Sequence, residues 1–338
     1  MITQNGIPQI DTVPKGIARP FWSVMIPTYN CAAYLQQTLE SVLDQDIGPE
    51  QMQIEVVDDC STKDDPEAVV NTIGRGRVSF YRQPRNVGAT ANFNSCIKRS
   101  IGHVVHILHG DDYILPSFYE RLRQPFIGDD GIGAAFCRHV YVDDFDKYLY
   151  TSRLERDECG VLADWVEQIA TSQRIQFPSI VVRRSVYESI GGFSMELVHA
   201  ADWEMWRRIA TYYPVWFEPQ PLACYRLHTA SDTSRLVTTG RNIADIRKSI
   251  AIAQQHLENR MPRRSAREIS RQAREHYAYY ALRTAENALS RSDWITALAQ
   301  SKEALKCSAS RRVLRNTCTL YVRHLLNFAR NRAYQSTK

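Results

Sequence analysis

The sequence has no long apolar run. No stretch of its 338 residues approaches the roughly 20 consecutive apolar residues that a membrane-spanning helix needs. Residues 1–20 also lack the apolar core of a secretory signal, and we predict that they form a loose leader. We therefore expect a cytoplasmic protein, with a peripheral contact at the inner face of the membrane left open.

Several cofactor signatures are missing as well. The eight cysteines are scattered without a Cys-x-x-Cys pair, which argues against a zinc site or a disulfide framework and favours buried thiols in a reducing compartment. No Gly-Lys-Ser/Thr phosphate loop occurs. Gly74-Arg75-Gly76 lacks both the third glycine and the preceding strand of a dinucleotide fingerprint.

Glycine and proline nearly disappear from the last third of the chain. No glycine follows Gly240, and Pro262 is the one later proline. Residues 241–338 carry 20 Lys and Arg against 7 Asp and Glu, a net charge of +13, whereas the preceding residues carry 22 against 30, a net charge of −8. We predict a basic C-terminal helical region over 241–338, either a functional region of its own or a helical cap on a first domain over 21–235.

The first domain alternates between strand-like and helix-like segments. Short apolar runs predict strands, and apolar residues at helical spacing predict helices between them. The predicted strands of the front part are 22–26, 54–57, 78–81 and 104–108, and the predicted helices are 33–43 and 88–98. This alternation favours an α/β fold with a doubly wound, mostly parallel sheet.

The most informative motif is His109-Gly110-Asp111-Asp112, which directly follows the predicted strand 104–108. Open α/β sheets bind ligands at the carboxyl ends of their strands. Two adjacent carboxylates at such a place repel each other unless a cation is bound there. The alternative is an ordinary solvated turn. Acids at two further places, Asp58-Asp59 and Asp202, favour the cation, because they would face the same crevice.

Seven segments together resemble glycosyltransferase family 2, whose members have the GT-A nucleotide-diphospho-sugar transferase fold. They occur in the family's order across residues 21–235. The segments are Ser23-Val24-Met25-Ile26-Pro27-Thr28-Tyr29-Asn30, Val56-Val57-Asp58-Asp59-Cys60-Ser61-Thr62, Asn86-Val87-Gly88, His109-Gly110-Asp111-Asp112, Ile190-Gly191-Gly192-Phe193, Ala201-Asp202-Trp203-Glu204-Met205-Trp206 and Tyr225-Arg226-Leu227-His228. The resemblance implies a metal-dependent, inverting sugar transfer.

The resemblance also implies a nucleotide pocket. Pro27, Thr28 and Tyr29 would line the site of the base, and Asp59 would accept a hydrogen bond from a base N–H, as suits uracil or thymine. The expected donor is therefore a UDP- or dTDP-sugar. In the alternative interpretation, Tyr29 is a loop anchor, and Asp58 or Asp59 caps the following turn.

The same resemblance implies a metal and diphosphate site. Asp112 would hold Mn²⁺ or Mg²⁺ against the diphosphate, and Asp111 would contact the ribose or a metal-bound water. His228 would lie near the metal or the phosphates, and Arg226 would pair with the diphosphate. A structural role for His228 is the alternative.

Asp202 matches the family's catalytic base, which takes the proton of the attacking sugar hydroxyl. Since Ala201 stands where family members often have an acid, the base role would fall to Asp202 alone. The alternative is that Asp202 caps the helix that follows it. Trp203 and Trp206 could line the acceptor site or belong to the core.

Other functions remain as alternatives. A non-catalytic nucleotide-sugar-binding protein could share the scaffold, although the intact Asp202 argues against it. A nucleotidyltransferase would need a glycine-rich loop after Ile26, which is missing. The processive-synthase signature Gln-x-x-Arg-Trp is also absent, which argues against a polymerising enzyme. The acceptor is expected to be a growing surface glycan or a lipid-linked glycan.

The basic tail allows two interpretations. Residues 307–338 carry seven Lys and Arg, no acids, and interleaved apolar residues. This pattern is typical of an amphipathic helix at an anionic membrane surface. The alternative is a helix packed on the acidic front domain. Nucleic acid is the least expected partner, because few aromatic residues are available there for base stacking.

Overall fold

The computed structural model describes residues 6–228 and 232–335, and the chain forms two compact units. The first unit comprises Met1–Ile169 and Gln173–Thr229. The second comprises Ala170–Ser172 and Ala230–Lys338.

The first unit is built on a ten-stranded mixed sheet. Its strands are β1 (Trp22–Thr28), β2 (Met52–Asp58), β3 (Ser79–Arg82), β4 (Val104–Ile107), β5 (Tyr113–Ile114), β6 (Ala134–Val142), β7 (Tyr148–Thr151), β8 (Gly160–Val161), β9 (Ile180–Arg183) and β10 (Val215–Arg226). The α-helices among them are α1 (Ala32–Leu43), α2 (Pro66–Gly74), α3 (Ala89–Arg99), α4 (Phe118–Arg123), α5 (Trp165–Thr171), α6 (Arg184–Ile190) and α7 (Ala201–Tyr212).

The sheet has the order β3-β2-β1-β4-β9-β6-β10-β5, with β7 paired to β6 and β8 to β10. β3, β2, β1 and β4 are mutually parallel, and β6 is parallel to β10. β9 runs antiparallel between β4 and β6 and joins the two parallel sets. The prediction of an α/β fold with a mostly parallel sheet and helical crossovers is confirmed.

The core lies between this sheet and its helices. All seven residues of β1 are buried, as parallel strands covered on both faces require. α1 contributes Leu35, Leu39 and Val42, spaced so that they share one face of the helix. Each such fully buried side chain stabilises the fold by roughly 1.5–3 kcal/mol. This packing fixes the strands, and the strands fix the loops at their carboxyl ends.

Those loops meet at one edge of the sheet. The backbone N–H of Asp59 donates to the carbonyl of Thr28 at 2.9 Å, and that of Gly110 donates to Pro27 at 3.1 Å. A Cβ atom on Gly110 would lie 3.2 Å from the Cβ of Thr28, so glycine permits this close approach. The residues after β1, β2 and β4 are thereby held side by side.

The N-terminal segment differs from the prediction of a loose leader. Within residues 6–20, the side chains of Ile7 and Ile10 are buried. The carbonyl of Pro8 accepts the backbone N–H of Gly192 at 2.9 Å. The segment is therefore part of the packed unit, although its composition is that of a loop.

The second unit is helical. Its helices are α8 (Asp232–Thr238), α9 (Arg241–Glu258), α10 (Arg263–Ser290), α11 (Trp294–Cys307) and α12 (Arg311–Gln335). α10 and α11 pack against each other as a hairpin, and the carboxylate of Asp293 caps α11 by accepting the N–H of Thr296 at 3.0 Å. In the part of the chain that the structure describes, no helix is long and apolar enough to cross a membrane.

α12 has one packed face and one exposed face. Val313 is buried, Leu320 and Tyr321 pack against the core of α10 and α11, and the Tyr321 hydroxyl donates to the Ser301 Oγ at 3.0 Å. On the other side of the helix, apolar side chains lie exposed to solvent. These are Leu314, Val322, Leu325 and Leu326.

Candidate active site

Asp112 is the most deeply buried acid after β4, with 1 % of its surface exposed. Its Oδ1 accepts the backbone N–H of Arg226 at 2.9 Å. Its Oδ2 is buried and has no hydrogen-bond partner within the described residues. Burial, followed by the charge of Asp111, raises the pKa of Asp112 well above its usual range. An orphaned, buried carboxylate oxygen is costly unless a ligand satisfies it.

His109 completes a group of possible metal ligands. One ligand atom from each of His109, Asp111 and Asp112 lies within 4.8 Å of the other two. The imidazole of His109 stacks on Phe93 and contacts Phe177, with ring centroids 4.9 Å and 4.3 Å apart. Burial lowers the pKa of His109, so the ring is neutral and can act as a ligand. Its Nε2 is also buried without a partner among the described residues.

These donors fit a divalent cation. Two carboxylates and a neutral imidazole nitrogen converge, and two of the three residues have an unpartnered, buried polar atom. Carboxylate-dominated sites suit hard cations such as Mg²⁺ and Mn²⁺. The sequence reasoning missed His109, although it stands within the motif that carried the prediction.

His228 is hydrogen-bonded to two carboxylates. Its Nε2 is 3.0 Å from the Oδ2 of Asp111, and its Nδ1 is 2.6 Å from the Oδ1 of Asp144. The hydrogen bond to Asp111 is the main reason that the pKa of His228 is raised. Both ring nitrogens are hydrogen-bonded, so His228 orients Asp111 in this structure, and its role as a metal ligand stays a prediction.

Arg226, which is predicted to pair with a diphosphate, is held by protein groups in this structure. The guanidinium donates to the carbonyl of Asp111 at 3.0 Å, to the carbonyl of Asp143 at 3.1 Å and to Asp146 at 2.7 Å. It also donates to Gln37 Oε1 at 2.6 Å, and its side chain is only 1 % exposed. Arg226 therefore fastens the loop between β6 and β7 to the acidic strand end, and its pairing with a diphosphate stays a prediction.

Asp58 and Asp59, at the end of β2, have different hydrogen-bond partners. Asp58 caps the following turn by accepting the N–H of Ser61 at 3.1 Å, and it pairs with Arg82 at 2.8 Å. Asp59 accepts the N–H groups of Val87 and Gly88, at 2.7 Å and 2.9 Å, one on each oxygen. The turn-capping alternative thus holds for Asp58. Each oxygen of Asp59 keeps a second lone pair that could receive a base N–H.

The three residues at the end of β1 flank Asp59. Pro27 and Thr28 are buried, and the Thr28 hydroxyl lies 2.9 Å from the Cys31 Sγ. The ring of Tyr29 is 46 % exposed and offers an open face beside them. This is the arrangement that a flat base would need, and it does not show Tyr29 as a buried anchor.

Asp202 lies in the first turn of α7, whose N-cap is Ala200, so the N-cap alternative for Asp202 does not hold. Its Oδ1 accepts the N–H of Trp203 at 2.6 Å, and its Oδ2 accepts the amide of Gln173 at 2.7 Å. Burial raises the pKa of Asp202 to about 7, and these hydrogen bonds oppose the rise. A carboxylate that titrates near neutral pH suits a general base.

The pKa of Tyr225 responds to Asp202 as well as to the acidic pair. Burial raises the pKa of Tyr225, and the charges of Asp112, Asp111 and Asp202 raise it further. All three carboxylates therefore lie close enough to act on one phenol. The convergence of these acids in one crevice stays a prediction, and this shared electrostatic influence supports it for β4 and α7.

The two tryptophans of α7 belong to the core. Trp203 and Trp206 are each 2 % exposed. The indole Nε1 of Trp203 donates to the carbonyl of Ile169 at 2.7 Å, and the guanidinium of Arg207 lies 3.6 Å from the centroid of its ring. They do not line the acceptor side, which leaves that side to other residues.

Comparison with known proteins gives the family. The family model described as Glycosyl transferase family 2 matches residues 23–191. An uncharacterised protein of Mycobacterium tuberculosis is 32 % identical over 239 residues, which are 68 % of this chain and 74 % of that protein. The chain belongs to glycosyl transferase family 2 and is a glycosyltransferase enzyme.

Solved structures show the same fold at low sequence identity. Residues 1–349 of TarS from Staphylococcus aureus align with a TM-score of 0.60 and 16 % identity, covering 92 % of this chain and 91 % of that one. A mannosyltransferase from Pyrobaculum calidifontis, solved with GDP-Man and Mn²⁺, aligns with a TM-score of 0.55 and 17 % identity, covering 96 % and 90 %. The fold is therefore the GT-A fold with a C-terminal helical region.

Proposed function

We propose that this protein is a metal-assisted, inverting glycosyltransferase that moves a sugar from a UDP- or dTDP-sugar to a hydroxyl of a glycan or lipid-linked acceptor. One observation carries the proposal. Asp202, a carboxylate with a pKa raised to about 7, shares its surroundings with the buried pair Asp111-Asp112. A proton acceptor and a place for a leaving diphosphate thus occur in one site.

Asp111, Asp112 and His109 would hold the cation, either Mn²⁺ or Mg²⁺. A divalent ion there would neutralise charge that develops on the departing nucleoside diphosphate. The mannosyltransferase of similar fold was solved with Mn²⁺, which supports a divalent ion without choosing between the two. His228 would keep Asp111 in the orientation that it has now.

Asp202 would take the proton of the acceptor hydroxyl as that oxygen attacks the anomeric carbon. The oxygen–carbon bond forms on one face while the bond to the diphosphate oxygen breaks on the other, which inverts the anomeric configuration. A single base suffices for this displacement, because no covalent sugar–enzyme intermediate is needed. Gln173 and the N–H of Trp203 hold the carboxylate in place.

The nucleotide would lie against Tyr29, Pro27 and Thr28, with Asp59 receiving the base N–H. One structure of the similar TarS holds UDP-GlcNAc, which supports a uridine donor, whereas the mannosyltransferase holds GDP-Man. Asp59 favours uracil or thymine, each of which presents one imide N–H.

A panel of UDP-, dTDP- and GDP-sugars, assayed with Mn²⁺ and without acceptor, tests the proposal. A bound donor raises the unfolding temperature in proportion to its occupancy, and slow hydrolysis releases nucleoside diphosphate. We expect both signals with a UDP- or dTDP-sugar and neither after EDTA treatment. Binding without any release, even from the best donor, would favour a non-catalytic nucleotide-sugar-binding protein.

We also propose that the exposed face of α12 touches an anionic membrane beside a lipid-linked acceptor. Leu314, Val322 and Leu325 are about half exposed on a helix that carries Arg311 and Arg315. Such a face suits anionic headgroups. Co-sedimentation with phosphatidylglycerol vesicles tests this, with phosphatidylcholine vesicles as the control. Equal recovery of the protein with both kinds of vesicle would reject membrane contact. So would a Leu325→Glu protein that still co-sediments with phosphatidylglycerol vesicles as well as the unchanged protein does.

A further inference from the structure

Three tyrosines form a row across neighbouring strands of the first unit. Tyr225 of β10 pairs in register with Tyr141 of β6, and Tyr141 pairs with Tyr150 of β7. Their rings are in contact, with centroids 5.6 Å apart for Tyr225 and Tyr141 and 4.3 Å apart for Tyr141 and Tyr150. Since register partners point to the same face of a sheet, the three rings make one continuous surface.

One end of this tyrosine row lies at the reacting groups. The residue after Tyr225, Arg226, donates its backbone N–H to the Oδ1 of Asp112 at 2.9 Å, which places this end of the row beside the acidic pair. The amide of Gln176 donates to the Tyr141 hydroxyl at 3.2 Å, three residues after Gln173, which holds Asp202. One short segment therefore positions both the base and the middle ring.

The other end of the row is open. Exposure rises along it: Tyr225 and Tyr141 are half-buried, and Tyr150 is 50 % exposed. Tyr150 stands on β7, which pairs only with β6 among the described strands, so part of its ring is accessible at the edge of the sheet. The row thus leads from the base to solvent, with aromatic faces and hydroxyl groups along its length.

This chemistry matches a pyranose ring better than other acceptors. A sugar ring has a face of C–H groups, which carry partial positive charge and are attracted to the negative face of an aromatic ring. Its hydroxyl groups can bond to the tyrosine hydroxyls at the rim. An acyclic polyol has no such rigid face, and a phosphate group would meet three carboxylates at the inner end.

We propose that the row Tyr225–Tyr141–Tyr150 is the acceptor subsite and that it binds sugar rings, with Tyr150 stacking on a ring at the outer end. The assignment rests on the proposed function, because it takes Asp202 as the base. It implies an acceptor of at least two sugar residues: one presents its hydroxyl to Asp202 and the next lies farther out along the row.

Saturation-transfer NMR with three defined probes tests the subsite directly. The probes are the methyl glycosides of glucose, mannose and N-acetylglucosamine, with ribitol as the acyclic comparison. We expect saturable binding of at least one glycoside, weaker binding of ribitol, and a dissociation constant raised about tenfold by Tyr150→Thr. Tyr150→Phe should retain most of the affinity, because it keeps the ring.

Leu149→Thr is the matched control, because it introduces the same residue on the opposite face of β7. Threonine keeps the strand preference, and thermal unfolding verifies that each variant is folded. The subsite is disproved if no glycoside binds, if ribitol binds as well as the glycosides, or if both threonine variants bind alike.

Release of nucleoside diphosphate in the absence of acceptor is measured separately, because it tests the proposed function and not the subsite. Its absence alongside intact glycoside binding would reject the proposed function and keep the subsite.

Discussion

The side-chain amide of Gln173 donates a hydrogen bond of 2.7 Å to the Oδ2 of Asp202, 29 residues further along the chain. The N–H of Trp203 binds the other oxygen at 2.6 Å. Both bonds favour the charged carboxylate, yet burial outweighs them and raises the pKa to about 7. The strength of this base is therefore set by a balance that substitutions can shift.

Asp202→Asn keeps the shape of the side chain and removes its ability to take a proton. We expect the rate of sugar transfer to fall by about 10³-fold, within the range of general-base contributions. Donor affinity, measured by titration with the nucleotide sugar, should stay unchanged, because the proposed base acts on the acceptor hydroxyl and not on the donor. Transfer at a near-native rate would show that another group is the base.

The pH dependence should follow Asp202. Its pKa is raised, so the basic form is lost as the pH falls through about 7, and kcat/KM should decrease on that side. Gln173→Leu removes a hydrogen bond that lowers this pKa and should move the acidic limb to higher pH. The measurement is a pH–rate profile of kcat/KM for the unchanged protein and for the Gln173→Leu variant. If the acidic limb lies at the same pH in both proteins, a group other than Asp202 controls the pH dependence.

Metal binding should depend on Asp112 and His109. Asp112→Asn and His109→Phe each remove one ligand, and the phenylalanine keeps the ring between Phe93 and Phe177. We expect Mn²⁺ affinity to fall by about tenfold or more, as read by paramagnetic resonance titration. Asp129→Asn changes an exposed carboxylate and serves as the control. If all three variants bind Mn²⁺ equally, the ion lies elsewhere.

Gly192→Ala should destabilise the first unit. A Cβ atom there would collide with the Oδ1 of Asn94, which accepts the N–H of Phe193 at 2.8 Å. Overpacking of this kind costs about 1–3 kcal/mol in the free energy of unfolding, measurable with urea. Gly131→Ala, at an exposed position, should change it little. If the two variants change the free energy of unfolding equally, the Gly191-Gly192 turn can make room for the added methyl group without loss of stability.

Arg226→Met tests whether this guanidinium is a structural fastener. The side chain is 1 % exposed, and its removal takes a donor from the carbonyls of Asp111 and Asp143, of which Asp143 keeps the backbone N–H of Asp146. Because Asp146 is half exposed, the main loss is the hydrogen bonding of buried carbonyls, and we expect the free energy of unfolding to fall by roughly 1–3 kcal/mol. Arg156→Met, which removes a solvent-exposed guanidinium, should have little effect. A stable Arg226→Met protein with lost donor affinity would favour the diphosphate role.

The sequence was sufficient for the parts of the fold that depend on local pattern. Strand-length apolar runs gave β1, β2 and β4, and helical spacing gave α1 and α3. Acids at strand ends located the site, because the carboxyl ends of parallel strands face one edge. Antiparallel β9, which lies between β4 and β6, could not be placed in this way, because the order of strands depends on contacts between distant segments.

The hydrogen-bond partners of His228 and Arg226 could not be predicted for the same reason. His228 and Arg226 stand in the expected motif, but their partners Asp144 and Asp146 belong to a hairpin with no readable signal. The neutral state of His109 comes from aromatic rings far away in the sequence. Spacing along the chain predicts which residues occur near a site, while burial and hydrogen bonding decide what each of them does.

The hydrogen bond between Asp112 and the backbone of Arg226 spans 114 residues. Contacts of such long sequence separation form slowly and late, because a long loop must close before they stabilise anything. During synthesis, β1 to β4 can assemble on the ribosome while Asp112 still lacks its donor. The nascent enzyme would therefore stay unable to hold a donor sugar until β10 has emerged. Activity would then appear only once the first unit has been synthesised in full.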